Sequence, residues 1–148
     1  MSAQETQTAL KALALTELAP SFTNLNQTVE GSIALMRQFS IGTQDLEKAL
    51  SSINSVAASF AVDSTDLSTA IQRAGGVFST ASSGVSSGTD ALNEFLAVFT
   101  SVRSTTRESA ETIATGLRTI FTRIQRGDTI DALEAFGVQL TDVEGKFV

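Results

Sequence analysis

Apolar residues recur three and four positions apart over most of the chain, the spacing that gathers them on one face of an α-helix. Breaks at glycine, proline and polar clusters divide the pattern into six or seven short helices. The first covers roughly residues 3–19, carries Leu10, Leu13 and Leu18, and is stopped by Pro20, which cannot continue the backbone ladder. The second, roughly residues 21–39, presents Phe22, Leu25, Val29, Ile33 and Met36 before "SIGTQD" makes a turn. Thr43 is then placed as an N-cap, with Asp45 and Glu47 in the first turn, where the helix dipole favours negative charge. The stripe that follows is Leu46, Ala49, Leu50, Ile53, Val56, Ala57 and Phe60. About 21 residues on, "STDLSTAI" at 64–71 answers "TQDLEKAL" at 43–50, and Leu67, Ala70, Ile71, Ala74, Val77, Phe78 and Ala81 continue the stripe. One such pair is too few for a solenoid.

Gly75 and Gly76 interrupt this helix at a cost of about 1 kcal/mol per glycine relative to alanine. "STASSGVSSGTD" reads as a small-residue loop, and Ser87 with Asp90 has the form of a capping box. The next helix, about 90–105, has the face Leu92, Phe95, Leu96, Phe99 and Val102, and Thr105 with Glu108 is expected to cap its successor. That successor has the cleanest stripe of all: Ala110, Ile113, Ala114, Leu117, Ile120, Phe121 and Ile124. Gly116 lies at the stripe's edge, and Arg118 and Arg123 flank it on its two sides. Gly127 is placed to end the helix, Asp128 to cap a short one over 129–136, and Gly137 to end that. The tail "VQLTDVEGKFV" alternates and turns around Asp142 and Gly145, which predicts a small β-hairpin. The pattern as a whole specifies an all-α fold, a compact multi-helix domain of packed helical hairpins. Residues 1–40 lead into a helical core region over 41–148.

Composition narrows the chemistry. The chain has 148 residues and is 42% hydrophobic, enough for one buried core. It contains no cysteine, histidine, tryptophan or tyrosine, which removes thiolate and imidazole ligands and most nucleophile–base pairs. The net charge of -6 argues against general nucleic-acid binding, yet five arginines (103, 107, 118, 123 and 126) stand against only Glu108 and Glu111 between positions 103 and 126. No apolar run is long enough to span a bilayer and the first residues show no signal-peptide pattern, so no membrane contact is expected of this segment. Asp63 with Asp66 and Asp128 with Asp131 sit where helix N-termini want acidic residues, a structural role favoured over acid–base catalysis. "DVEGK" has too few spaced oxygens for a calcium loop, and Gly84 with Gly88 lacks the strand and lysine of a phosphate loop. Catalytic, metal and cofactor residues are therefore assigned to none. The arginines read first as a solvated flank, with Arg107 paired to Glu111, and second as contacts to an acidic partner or to passing DNA. Gly116 reads as a small residue that admits a neighbouring backbone.

The run "IATGLRTIFTRI" followed by "DALEAFGVQLTDVEGKF" resembles the core region of tailed-phage tail tape measure proteins. The family's pattern falls here on Gly116, Leu117, Arg118, Thr119, Ile120, Arg123, Leu133, Gly137, Val138, Asp142, Gly145 and Lys146. "SINSVAASFAVDSTDLSTAIQRAG" and "FLAVFTSVRSTTRESAETI" extend the likeness over roughly residues 35–148, and "GVFSTASSGVSSGTD" departs from it as a longer, more glycine-rich connection. The resemblance implies a structural role: scaffolding tail tube polymerisation, setting tail length, and leaving the tube ahead of DNA. It implies a virion tail assembled in the host cytoplasm, and a chain that is part of a longer protein. The implied partners are further tape measure copies, tail tube and tail tip or baseplate proteins, and a tail assembly chaperone, with incidental proximity to DNA. Phe121, Gly137, Asp142 and Gly145 join Gly116, Leu117, Arg118, Ile120 and Arg123 as packing or interface candidates. The alternative is a stand-alone helical adaptor whose apolar groove binds a partner helix. If Gly116 admits a close neighbour, Gly116→Leu destabilises the domain or its assembly more than Thr115→Leu does; equal thermal melts would refute that.

Overall fold

Helix α1 (Ala3–Thr16) opens on a complete capping box: the Ser2 hydroxyl accepts from the Glu5 N–H at 3.2 Å, and the Glu5 carboxylate accepts from the Ser2 N–H at 2.6 Å. The Ser2 N–H bond to its carboxylate first, and the Ser2 hydroxyl beside it second, hold the Glu5 carboxyl below the usual carboxylate range. The computed structural model describes residues 2–142, 144 and 145. Helix α2 (Leu25–Gln38) is capped by Asn24, whose side chain accepts from Gln27 N–H at 3.1 Å. A 3-10 turn (Thr43–Asp45) leads into α3 (Leu46–Phe60). Helix α4 (Ser64–Ala70), a π-helical segment (Ile71–Gly75) and α5 (Gly76–Ala81) follow one another without a break. Helices α6 (Gly88–Thr106), α7 (Ala110–Ile124) and α8 (Gly127–Ala135) complete the order.

Helix α1 packs on α3 and the 3-10 turn, α2 on α4 and the π segment, and α3 on α6, while α7 lies along α4, the π segment and α5. The centre is aromatic. Phe39, Phe95, Phe78 and Phe121 form a chain with ring centroids 6.0, 5.5 and 5.0 Å apart, the last pair edge-to-face at 80°. It joins the end of α2 to α6, α5 and α7, and each contact adds about 0.5–1.5 kcal/mol beyond the area buried. Around it lie Leu35, Leu46, Ile53, Leu67, Ile71, Leu92, Leu96 and Phe99, all essentially inaccessible to solvent. The internal repeat survives as packing: Leu46, Ala49 and Leu50 on α3 match Leu67, Ala70 and Ile71 on α4 and the π segment, and all six are buried.

The first two helices use a different surface from the one their large side chains mark out. On α1 the buried residues are Ala9, Ala12 and Thr16, with Leu13 half-buried, while Leu10 and Leu18 face solvent. Helix α1 also ends before Pro20: turns through Glu17–Ala19 precede the proline. On α2 the buried face is Thr28, Gly31, Ser32 and Leu35, and Leu25 and Ile33 are half exposed. Small residues win because they let α2 lie close to α4; a Cβ at Gly31 would stand 2.8 Å from the Ser68 hydroxyl. The buried hydroxyls are satisfied by their own helix: Thr28 donates to Asn24 O at 2.9 Å and Ser32 to Thr28 O at 2.7 Å. The connection between α1 and α2 is tied down by Ser21, which donates to Asn54, and by Ser64, which donates to the Ser21 carbonyl.

Several local expectations are corrected. Gly75 and Gly76 do not break the helix; they sit within it, where the chain widens to π geometry. Neither Thr43 nor Ser87 makes a side-chain cap, and Gly42 precedes the 3-10 turn as its backbone cap. The cap of α7 is Ser109, accepting from Thr112 N–H at 3.2 Å, because α6 runs on through Thr105 and ends at Arg107 in the left-handed region (φ 57°). Arg107 makes no ion pair with Glu111; the pair present among the described residues is Arg103–Asp66, at 3.2 Å. Arg103 also donates to the Glu108 carbonyl, so one guanidinium ties α4 to the bend between α6 and α7. Gly127 opens α8 instead of closing α7, and Arg126 is the cap residue where Asp128 was expected. Gly137 does end α8: at φ 80° it donates to Glu134 O at 2.9 Å while Val138 donates to Leu133 O at 3.0 Å, a full Schellman closure. The expected β-hairpin is replaced, among the described residues, by a turn with no strand, in which Gly145 (φ 78°) donates to Asp142 O at 3.0 Å and Glu144 N–H to the Asp142 side chain at 2.8 Å. Two short strands with no third strand or helix to pack on are marginal at best. Val143 and residues 146–148 of that expectation lie outside the described residues.

Gly75 is the backbone position on which the aromatic centre depends. A Cβ there would lie 2.8 Å from Phe39 Cε2 and 2.5 Å from Gln38 Oε1. Phe39 is 1% exposed and held against Phe95, so its ring has nowhere to retreat. Gly75→Ala is therefore expected to lose about 1–2 kcal/mol in urea unfolding, overpacking outweighing alanine's better helix propensity. Equal or greater stability than the parent would contradict this packing.

Candidate assembly surface

The residues singled out from sequence fall into two places. On α7, Ala110, Ile113, Ala114 and Leu117 form the buried edge, so Leu117 is a core residue. Phe121 is half-buried against Phe78. Gly116, Arg118, Ile120 and Arg123 are exposed around the remaining perimeter, with Ile120 retaining 57% of its accessible surface. Gly137, Asp142 and Gly145 lie past the end of α8 and shape the chain there. The structure does not gather the two sets into one cleft.

Gly116 differs from its sequence reading. Its own helix aside, no atom among the described residues comes within 4 Å of a Cβ built there, so none of them uses the missing side chain. Close approaches between helices occur instead at Gly31, whose surroundings read as an ordinary helix position, and at Gly75, which reads as a break. Their one available signal was the company of other small residues, "EGSIAL" and "RAGGVF".

Among the described residues, three open surfaces bear on assembly. Between the π segment, α5 and α7 runs a polar groove of about 560 Å³, walled by Gln38, Gln72, Arg73, Val77, Arg118 and Gln125. Gln125 fixes its end by donating to Val77 O at 3.3 Å and Phe121 O at 2.7 Å, and Gln38 donates to Gln72 O at 3.2 Å. Neither Arg73 nor Arg118 has a carboxylate within ion-pair distance among the described residues. A second groove, between α3 and α6, is neutral and lined by Ser52, Ser55, Phe60, Ala97, Ser101 and Ser104. The third is α8, none of whose residues is buried and beyond which Phe136 is 85% exposed. No group of His, Asp or Glu side chains among the described residues is arranged to hold a metal ion, and no helix there is long and apolar enough to cross a membrane.

Core packing that consumes most apolar stripes, and open helix faces carrying charge and isolated apolar side chains, define a compact multi-helix domain. The chain belongs to the phage-related minor tail protein family, which matches it over residues 1–148. That family is structural, and it places the protein in the phage tail among other tail components. No solved structure matches the chain.

Because the space over Gly116 is open, Gly116→Ala is expected to raise the stability of the isolated chain by up to about 1 kcal/mol through helix propensity alone. By the same geometry the isolated chain tolerates Gly116→Leu, and any defect of that variant shows only in assembly. A urea midpoint lowered by Gly116→Ala would mean that a close neighbour exists within the chain.

Proposed function

We propose that this chain is a tape measure segment: a scaffold around which tail tube subunits polymerise, contributing to tail length and leaving the tube when DNA is ejected. Membership of the minor tail family supports a structural tail role, and the resemblance of residues 35–148 to the tape measure core supports the finer reading. The observation that carries it is the placement of the resembling residues on α7. Gly116, Arg118, Ile120 and Arg123 face away from the core, where a partner can touch them, while Ile113, Ala114 and Leu117 are buried and Phe121 packs on Phe78. A residue pattern that the domain's own packing does not need is what a docking helix requires. On this reading tube, tip or baseplate proteins, a tail assembly chaperone and further copies of the chain compete for these faces, and DNA passes nearby without being held. The division of the chain into residues 1–40 and a core from 41 onward belongs to the same proposal, with Leu35 and Phe39 carrying the first part into that core.

The stand-alone adaptor reading draws on the neutral groove between α3 and α6, whose serines and alanines would let a partner helix approach closely. Imaging of tails assembled with the segment removed in frame separates the two. Absent tails are expected if the segment nucleates assembly and shortened tails if it also spaces; tails of normal number and length would contradict the proposal.

A further inference from the structure

Helix α8 is nine residues long, and a helix of that length is marginal in water unless a face packs on something. Its own chain supplies little: Ile130 and Leu133 are half-buried and nothing is fully buried. At three-residue spacing Asp128, Asp131 and Glu134 form one acidic stripe on its exposed side. Elsewhere on the molecule, the groove beside α7 has the opposite character. Among the described residues, Arg73 and Arg118 stand on its walls without a carboxylate in ion-pair distance, and no acidic residue lines it.

We propose that α8 is an assembly arm that docks, acidic stripe inward, into the Arg73–Arg118 groove of a second copy of this chain. The argument is charge complementarity within a single sequence: a helix carrying three carboxylates and little packing, and a groove carrying two guanidinium groups and no counter-charge. Arginine suits such a contact because its planar fork can engage a carboxylate through two hydrogen bonds while its stem lies along apolar lining such as Val77. Arm and groove are different surfaces, so the contact is head-to-tail and each copy keeps one free end. Such an interface propagates into a ring or a filament instead of stopping at a dimer. It stands independently of the tape measure reading, since any structural tail protein could use it.

The test uses the 148-residue chain and two charge reversals at exposed positions, Arg118→Glu in the groove and Asp131→Lys in the arm, with circular dichroism to confirm that both keep the parent's helix content. Sedimentation is expected to show concentration-dependent association of the parent that weakens with added salt. Each variant alone is expected to associate at least about tenfold more weakly. Mixed together they should associate again, because an intact arm meets an intact groove and the reversed arm and reversed groove are complementary to each other. A parent that stays monomeric, variants that associate like the parent, or a mixture no different from its components would each overturn the proposal. So would a monomer whose α8 amides are protected from exchange and lose that protection in Arg118→Glu, the signature of closure within one chain. Binding of a short DNA duplex that Arg118→Glu abolishes, without self-association, would reassign the groove to phosphate.

Discussion

The close approach of Phe39 to the backbone at Gly75 is the contact on which the rest of the structure depends. It fixes the end of α2 against the π segment and sets Phe39 on Phe95, from which Phe78 and then Phe121 follow. Through those four rings α2, α5, α6 and α7 share one centre. The π geometry at Ile71–Gly75 fits this role, since a widened turn places Ile71, Ala74 and Gly75 inward together. A glycine in mid-helix costs about 1 kcal/mol in propensity, and here that cost is offset by a ring contact that any side chain would displace.

How much of this could be read from sequence depended on the size of the side chains that do the packing. Helices α3 and α7 were legible because large apolar residues mark their inner faces: Leu46, Leu50 and Ile53 in one, Ile113 and Leu117 in the other. Helices α1 and α2 were legible as helices and misread as surfaces. Their inner faces are Ala9, Ala12 and Thr16, and Thr28, Gly31 and Ser32, which a hydrophobic pattern scores below the leucines and isoleucine turned outward. The glycines show the same inversion. Gly116 looked like a point of close approach and lies open, whereas Gly75 looked like a break and is buried in contact. Periodicity reports which face is greasy, and small residues report which face is near; the two disagree wherever helices pack closely.

The candidate surface was legible in composition and not in geometry. The excess of arginine between positions 103 and 126 is plain in the sequence, but its members part ways in space. Arg103 turns to Asp66 and the Glu108 carbonyl, Arg107 becomes a left-handed cap, and Arg118 joins Arg73 across a groove that no linear pattern could have announced. The sequence pattern assigns Asp128 and Asp131 to a helix N-terminus, and the absence of any buried residue in α8 gives them another use. The chain belongs to a phage tail family, and on the proposed reading the exposed residues of α7 and α8 are where contacts with other tail components fall.

The dependence on the Phe39–Gly75 contact is tested most directly by a double-mutant cycle in urea unfolding, combining Gly75→Ala with Phe39→Leu. If the ring is what forbids a Cβ at position 75, removing the ring relieves the cost of the alanine, and the two substitutions couple by about 1 kcal/mol or more. Additive losses, within about 0.5 kcal/mol, would show that Gly75 and Phe39 act separately and that the aromatic centre does not rest on their contact.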